Sequence, residues 1–291
     1  MKIGAISFMT DTSIAPGEIA GVLEAAGFES FWAGDHSHVP APSSGVPIDS
    51  RTGLPVPSEY WHLLDPFLAL TAAAAATSTI NLGTGICLVN ERDPIHTAKS
   101  VASLSHLSGG RVLFGIGGGW SEQELRNHGL EIADRWVSMR ERVLAMRAIW
   151  SQDVAEFQGE HVNFSPLMSW PKPSPLPPIL IGGNFRNIPR VVDYGDGWCP
   201  GTPDLPDAEV VRLAGELRRQ AAEAGREVSM TAFHVTTVVG LDPESELRLT
   251  RRRLDVLAAA GAERAVVVLP PQRDACLRMI DHYAEELVQT R

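Results

Sequence analysis

Short apolar runs rich in β-branched residues alternate with longer amphipathic segments along almost the whole chain. This alternation is typical of a parallel sheet that is covered by crossover helices. It predicts eight strands, near residues 2–8, 30–34, 80–86, 111–116, 178–182, 197–200, 231–239 and 264–269. It also predicts eight helices, near residues 16–26, 66–77, 94–107, 138–150, 188–194, 207–224, 243–260 and 273–288.

Eight strand–helix units in 291 residues predict a (β/α)8 TIM barrel that forms a single α/β domain. The helix boundaries support this prediction. Asp65-Pro66 and Asp93-Pro94 each place an N-cap acceptor before a proline in the first helical turn, and Gly109 follows a predicted helix end. The active site of such a barrel lies at the C-terminal ends of its strands, so functional residues are expected there.

Two longer segments interrupt the regular alternation. The first, residues 37–62, follows the second predicted strand and contains Tyr60 and Trp61. The second, residues 157–177, lies between the fourth and fifth predicted strands and contains Trp170. Loops of this length are usually functional or mobile. One interpretation is that both inserts cover an apolar ligand, and the other is that both are surface excursions.

Composition narrows the class of protein. The chain is 44% hydrophobic and 21% charged, which fits a globular enzyme, and it contains no apolar run of the roughly 20 residues that a membrane span needs. The formal charge of −10 opposes binding to nucleic acid. Cys87, Cys199 and Cys276 are widely separated, so neither a disulfide framework nor a paired-cysteine metal site is predicted. Because no signal peptide is recognisable, a cytoplasmic location is expected.

The end of the second predicted strand carries the strongest catalytic candidates. Asp35 and His36 follow it directly, which places a carboxylate and an imidazole at the mouth of the predicted barrel. His36 can exchange a proton near neutral pH or hydrogen-bond to a heterocycle, and Asp35 can orient it or accept from a cofactor N–H. The alternative is that Asp35 caps a turn and His36 is only packed.

Glycines suited to binding an anion follow two other predicted strands: Gly117, Gly118, Gly119, Gly182 and Gly183. Without Cβ atoms, their backbone amides can approach a phosphate closely, and the two sets together would form a two-sided cradle. Trp120 follows the first set as an aromatic wall, at the position where a dinucleotide-binding turn would need a glycine. The alternative is a tight strand-to-helix turn that binds nothing.

The third predicted strand ends in Thr84, Gly85 and Ile86. A hydroxyl and a glycine at this position are consistent with the close approach of a flat ring. They are equally consistent with an ordinary β-bulge, and the two interpretations are compatible.

Five motifs occur in order along the chain: Gly-Asp-His after strand two, Leu-Gly-Thr-Gly-Ile in strand three, Leu-Ser-Gly-Gly-Arg-Val before Gly-x-Gly-x-Gly-Trp, Pro-Pro-Ile-Leu-Ile-Gly-Gly, and Gly-Asp-Gly-Trp. With them the chain resembles the bacterial luciferase-like flavin and deazaflavin oxidoreductases. The resemblance covers nearly the full length and is strongest from Leu82 to Gly201. Within that superfamily the chain looks most like the branch that depends on the deazaflavin coenzyme F420.

The resemblance implies a TIM barrel with the flavin or deazaflavin ring over strands two to four. It also implies a non-proline cis peptide near Gly85-Ile86. By motif position, Asp35 and His36 would face the ring, and the cofactor phosphate would contact Gly117, Gly118, Gly182 and Gly183. One feature departs from the pattern. Deazaflavin-dependent sugar-phosphate dehydrogenases of this superfamily carry a catalytic glutamate where this chain has Trp120.

The function that the resemblance implies is hydride transfer between C5 of F420 and a small organic substrate, with His36 as proton donor or acceptor. One alternative is an FMN-dependent monooxygenase, and a second is a barrel that binds a cofactor without catalysis. A basic groove leading out of the barrel would favour F420, because its acidic tail is longer than that of FMN. Barrels of this superfamily commonly pair through helices, so a homodimer is expected.

Overall fold

The strands lie close to the predicted positions. The structure, a computed structural model, describes residues 1–49, 52–202, 205–233 and 243–288. Its strands are β1 (Lys2–Ser7), β2 (Ser30–Ala33), β3 (Asn81–Thr84), β4 (Cys87–Leu88), β5 (Val112–Gly117), β6 (Ala155–Gln158), β7 (Asn163–Leu167), β8 (Ile179–Gly182), β9 (Gly197–Cys199), β10 (Ser229–Phe233) and β11 (Arg264–Leu269).

All of these strands except β6 and β7 belong to one closed parallel sheet. Their order is β3-β2-β1-β11-β10-β9-β8-β5-β4, and β3 also pairs with β5. β3 and β4 are two halves of one barrel strand, because both pair with β5, on either side of a cis peptide between Gly85 and Ile86. The sheet is therefore a closed eight-stranded (β/α)8 barrel, and the predicted fold and cis peptide are both confirmed.

The helices surround the barrel: α1 (Pro16–Ala25), α2 (Pro66–Ala76), α3 (Pro94–Ser108), α4 (Glu122–Asn127), α5 (Arg135–Ser151), α6 (Ile188–Tyr194), α7 (Asp207–Glu223), α8 (Pro243–Ala259) and α9 (Arg273–Tyr283). Both predicted N-caps are confirmed. The Asp65 carboxylate accepts from the Phe67 N–H at 2.9 Å, and the Asp93 carboxylate accepts from the His96 N–H at 2.8 Å. Gly109 ends α3 with φ 69°, a conformation that glycine adopts without a Cβ clash.

Several boundaries differ from the predictions. The short helix α4 separates β5 from α5, which begins three residues earlier than predicted. The last predicted helix continues beyond α9 as one π-helical turn over Ala284–Val288. The predicted seventh strand corresponds to β10, and residues 234–239 of that prediction lie outside the described residues. The hairpin of β6 and β7 was not predicted, because β6 is only four residues long and β7 contains Pro166.

The barrel wall separates two apolar cores. The larger core lies between the strands and the helices, and the smaller one fills the barrel interior with Ile6, Trp32, Leu113, Leu180, Cys199 and Val266. Trp32 occupies much of this interior. A Cβ built on Gly83 would lie 2.1 Å from the Trp32 ring, so the indole fits only because the neighbouring strand carries glycine. The lower barrel is thus packed with apolar side chains, and chemistry is left to the mouth.

The two inserts lie at opposite ends of the barrel. The first follows β2 and brings Tyr60 to the mouth, where its ring stacks on that of His36 at 4.9 Å. The second follows α5, which runs back to the N-terminal end. There Lys172 Nζ donates to the Ile149 carbonyl at 2.6 Å, and Pro175 packs against Gly110 just before β5. The interpretation that both inserts cover a ligand is therefore wrong for the second one, since a helix-to-strand connection lies at the face opposite the mouth.

Candidate active site at the barrel mouth

The sequence-predicted site residues come together at the C-terminal end of the barrel, with one exception. Asp35 and His36 follow β2, while the glycine sets follow β5 and β8. Thr84 is fully buried, and its hydroxyl donates to the Gly115 carbonyl at 2.6 Å. Thr84 therefore fixes the pairing of β3 with β5, and its hydroxyl does not face the mouth.

Ile86 forms part of the floor of the mouth. A Cβ built on Gly117 would lie 2.4 Å from Ile86 Cδ1, and one built on Gly182 would lie 2.6 Å from the same atom. Real side chains do not approach that closely, so both strands need glycine for Ile86 to occupy this place. The two glycines consequently have a packing reason in addition to the phosphate-binding one that the sequence suggested.

Asp35 is held by an arginine that sequence reasoning missed. Its carboxylate accepts from Arg92 Nη2 at 2.7 Å and Arg92 Nε at 2.9 Å, and also from the Leu88 N–H at 3.0 Å. Arg92 Nη1 also donates to Asp65 at 2.9 Å. Burial alone would lower the pKa of Arg92, but its bonds to Asp35 outweigh burial and raise it. Both Asp35 oxygens are thus committed, and the ion pair ties β2 to β4 and α2.

His36 is paired with a second carboxylate. Its Nδ1 lies 3.0 Å from Glu124 Oε1 and 3.2 Å from Glu124 Oε2, and the Glu124 side chain is only 1% exposed. The His36 ring also stacks on Tyr60 and meets the edge of Trp120 at 5.9 Å. A carboxylate only accepts hydrogen bonds, so Nδ1 carries a hydrogen and Nε2 is left to exchange a proton.

A third carboxyl group, that of Glu91, lies beside this pair. Glu91 follows β4 directly in a 3-10 turn, and a Cβ built on Gly119 would lie 3.2 Å from its Oε1. Both of its oxygens are buried and meet no hydrogen-bond donor among the described residues. Burial, and after it the nearby Glu124 carboxyl, raise the pKa of Glu91 to about 9.

Two arginines flank an indole beside the glycines that follow β5 and β8. The guanidinium carbons of Arg135 and Arg190 lie 4.7 Å and 4.1 Å from the Trp136 ring centroid. Trp136 packs directly on Gly118, and Arg190 donates to Asn187, which in turn donates to the carbonyl of the glycine that ends β8.

Neither guanidinium forms an ion pair within the described residues, and Arg135 Nε is buried without an acceptor there. Burial, and then the charge of Arg190, lower the pKa of Arg135. Two cations without a carboxylate partner beside glycine-rich strand ends form a site suited to an anion.

A cavity of about 310 Å³ lies between the first insert and α4. Trp120 and Glu124 line one side of it, and apolar residues of the insert line the other, among them Val39, Pro40, Pro47, Ile48 and Val56. The cavity therefore borders the helix α4, which carries the partner of His36.

The residues that sequence reasoning missed are mostly charge partners: Arg92, Glu91, Glu124, Arg135 and Arg190. Glu124 lies in the polar stretch that follows Trp120, but so do other acids, and the sequence does not single it out. Arg92 stands next to the recognised N-cap Asp93.

Within the part of the chain that the structure describes, no group of three or more His, Cys, Asp or Glu side chains is arranged to hold a metal ion. No helix in that part has the length and apolar character of a membrane span.

Comparison with known proteins gives both uncharacterised and characterised relatives. The uncharacterized protein Rv0953c of Mycobacterium tuberculosis is 39% identical over 231 residues, which cover 78% of this chain and 80% of that protein. An F420-dependent hydroxymycolic acid dehydrogenase of the same organism is 29% identical over 224 residues, which cover 76% of this chain and 56% of that protein.

Two solved structures share the fold over almost their whole length. An F420-dependent secondary alcohol dehydrogenase, in complex with an F420–acetone adduct, matches with a TM-score of 0.77 at 17% identity, over 100% of this chain and 99% of that one. The oxygenating constituent of 3,6-diketocamphane monooxygenase from Pseudomonas putida, in complex with FMN, matches with a TM-score of 0.73 at 14% identity, over 99% and 98%.

The family model for luciferase-like monooxygenases matches residues 15–286 of the chain. That match includes the strands and loops which deliver every mouth residue described above. The relatives include both dehydrogenases and monooxygenases, so the coarse activity is that of an oxidoreductase. The chain therefore belongs to the luciferase-like monooxygenase family.

Proposed function

We propose that the protein binds coenzyme F420 and transfers a hydride between the cofactor and a small organic substrate. When bound, the deazaflavin supplies the carbon that accepts or donates the hydride. The observation that carries this proposal is the pair of guanidiniums without a carboxylate partner among the described residues, those of Arg135 and Arg190, beside the glycine cradle. F420 carries an acidic tail in addition to a phosphate, so a second cation at this place favours it over FMN.

The F420-dependent relatives support the proposal. The hydroxymycolic acid dehydrogenase is similar to most of this chain, and the secondary alcohol dehydrogenase shares its fold. Both names describe oxidation at a carbon that bears a hydroxyl group. We therefore propose an alcohol or carbonyl compound as the substrate class.

His36 supplies the proton chemistry in this proposal. Glu124 occupies Nδ1, so Nε2 takes a proton from the substrate hydroxyl when a hydride leaves the same carbon, and returns it in the reverse direction. Tyr60 and Trp120 pack on the imidazole and limit its access to water. A dry site strengthens the electrostatic interactions within it and protects the hydride from side reactions.

The cavity between the first insert and α4 is the proposed place for part of the substrate. A volume of about 310 Å³ fits a small molecule, and its lining of prolines and aliphatic side chains favours an apolar substituent. Glu124 and Trp120 line the same cavity, so a group bound there lies beside the proton-transfer pair.

The test of the cofactor assignment is a fluorescence or calorimetric titration with oxidised F420 and, separately, oxidised FMN. We expect micromolar or tighter binding of F420 and much weaker binding of FMN. Arg190→Met should weaken F420 binding about 10- to 100-fold, the loss of one charge-assisted hydrogen bond. Arg212→Met is the matched control, because this exposed arginine of α7 pairs with Glu209 and should leave binding unchanged.

Tighter binding of FMN than of F420 would contradict the proposal in favour of an FMN-dependent monooxygenase. Binding of neither would contradict the cofactor assignment itself. His36→Ala then tests the catalytic role, and we expect turnover to fall about 10²- to 10⁴-fold while the Kd for F420 changes little. An equal loss of turnover and of binding would mean that His36 is structural.

A further inference from the structure

We infer that Glu91 carries a proton at neutral pH and donates a hydrogen bond to Glu124 with it. Glu91, Glu124 and His36 then form a buried chain of hydrogen bonds. In this arrangement Glu91 and Glu124 are positioning residues, and His36 is the group that meets the substrate. The catalytic consequence rests on the proposed function, whereas the proton on Glu91 does not.

The geometry at Glu91 is the first argument. The residue is only 6% exposed, and neither carboxyl oxygen meets a donor among the described residues. Its hydrogen-bonding neighbour is another carboxyl, that of Glu124 on α4, the helix that packs against the turn of Glu91. Two carboxyl groups can form a hydrogen bond only if one of them carries a proton, because an ionised carboxylate has no hydrogen to donate.

The charges that face Glu91 show which group holds that proton. Glu124 faces it from α4 and Asp35 from the end of β2, and both would repel a third negative charge. The cation on its own segment, Arg92, is engaged by Asp35 and Asp65.

Glu124 has the His36 ring as its partner, and Asp35 has Arg92. Glu91 is the one of these three carboxyls without a cation of its own. Ionisation of a second carboxyl beside a carboxylate is unfavourable, because the two like charges repel each other. Its raised pKa agrees with the protonated form.

The consequence for His36 is a fixed tautomer. Glu124 then accepts one hydrogen bond from Glu91 and another from His36 Nδ1, which keeps Nε2 directed to the substrate. Loss of the Glu91 proton would place a second negative charge beside the pair. It would also remove the hydrogen bond that orients Glu124, so the protonated form of Glu91 is the one that positions Glu124 and His36.

The test is the pH dependence of equilibrium unfolding for the full chain without cofactor. Glu91 would be protonated when folded and ionised when unfolded, between the ordinary carboxyl pKa and its raised pKa, so the native state binds one proton more. Stability should therefore fall as pH rises. Between pH 5.5 and 8.5, the ratio of the parent's unfolding equilibrium constant to that of Glu91→Gln should rise about tenfold for each pH unit.

Glu91→Gln is suited to this comparison because its amide can still donate to Glu124 and has a similar shape. Glu122→Gln is the matched control, since Glu122 lies on α4 but is exposed and paired with Arg126, and its pH dependence should equal that of the parent. Parallel curves for the parent and Glu91→Gln would overturn the inference, because they would show that Glu91 is ionised when folded. If Glu91→Gln does not fold, the infrared C=O band of a protonated carboxyl in the parent, titrated to alkaline pH, decides the same question.

Activity supplies a second readout once F420 turnover is established. In Glu91→Gln the pH profile of kcat/KM should lose one ionisation on the alkaline side, a change that a purely structural role would not produce. Glu124→Gln should lower kcat more than it changes the Kd for F420, with partial rescue by Glu124→Asp. An unchanged profile in Glu91→Gln would overturn the link to His36. Absence of F420 turnover would count against the proposed function, and the unfolding experiment would still decide the state of Glu91.

Discussion

Buried charge is arranged differently at the two ends of the barrel. At the N-terminal end, Arg264 donates from Nε and Nη2 to the two oxygens of Glu29, both at 2.5 Å, and Thr231 accepts from its Nη1 at 3.2 Å. Each charge there has a partner of opposite sign. At the mouth, three carboxyl groups share one guanidinium and one imidazole: Asp35, Glu91, Glu124, Arg92 and His36.

The difference shows how one residue type takes opposite roles. Burial would raise the pKa of Glu29, but the bonds to Arg264 outweigh it and lower the pKa overall. At the mouth, burial and a like charge act together and raise the pKa of Glu91. The pair of Glu29 and Arg264 has no group that titrates near neutral pH, so its role is to stabilise the fold. At the mouth the carboxyls outnumber the cations, and Glu91 is left with a proton; groups with such a shifted pKa are typical of functional sites.

The largest effect should come from Arg92→Met, which removes the cation from the mouth. Asp35 would then be buried without an ionic partner, and the tie to Asp65 would also be lost. Breaking a buried pair in this way costs about 3–5 kcal/mol, measured as the free energy of unfolding in urea. Arg264→Met should cost a similar amount, but it should leave the Kd for F420 unchanged because that pair lies at the far end. A loss of less than about 1 kcal/mol in the free energy of unfolding of Arg92→Met would contradict the stabilising role of the Arg92–Asp35 ion pair.

Much of the fold follows from local pattern. The alternation of apolar runs and amphipathic segments predicts the barrel, and the caps at Asp65 and Asp93 place two helices within a few residues. The position of the site follows as well. Parallel strands of a closed barrel bring their C-terminal ends together, so Asp35, His36 and the glycines after β5 must meet at one face.

The charge partners could not be predicted, because each is distant in sequence. Glu124 follows its partner His36 by 88 residues, and Arg92 follows Asp35 by 57. Nothing local distinguishes Glu124 from the other acids of its helix. The role of the glycines was predicted only in part for a similar reason. Gly117 and Gly182 leave the space that Ile86 needs, and this packing involves three strands. Only the closed barrel reveals that contact.

A smaller effect is expected at the base from Glu29→Gln. At neutral pH the loss of the carboxylate should cost about 1–3 kcal/mol, because Arg264 remains buried with a weaker partner. The lowered pKa of Glu29 means that its contribution is complete above the ordinary carboxyl pKa and is lost as pH falls through the lower folded value. The variant should therefore lack part of the acid destabilisation seen in the parent by urea unfolding. The free energy of unfolding that Glu29 contributes thus rises with pH, whereas that of Glu91 is expected to fall. The same sign of pH dependence at the two ends would refute the comparison.

The smallest effect concerns the attachment of the first insert to the mouth. The Ser37 hydroxyl lies 2.8 Å from His38 Nδ1 and 2.8 Å from His128 Nε2, and Asn127 Nδ2 lies 2.8 Å from His38 Nε2. Burial, and after it the neighbouring His38, lower the pKa of His128. The contribution of a group with a lowered imidazole pKa is fully present above the ordinary value near 6.5 and is lost as pH falls through the lower folded value.

Protonation of His128 should therefore loosen the insert, by less than about 1 kcal/mol because solvent screens its exposed ring. Limited proteolysis within residues 37–49 should be faster at pH 5.5 than at pH 7.5 in the parent, and His128→Gln should remove that difference. His96→Gln is the control for the pH response of the protease, since His96 is exposed on α3 beside Asp93. Equal cleavage rates for the parent at both pH values would show that protonation of His128 does not loosen the insert.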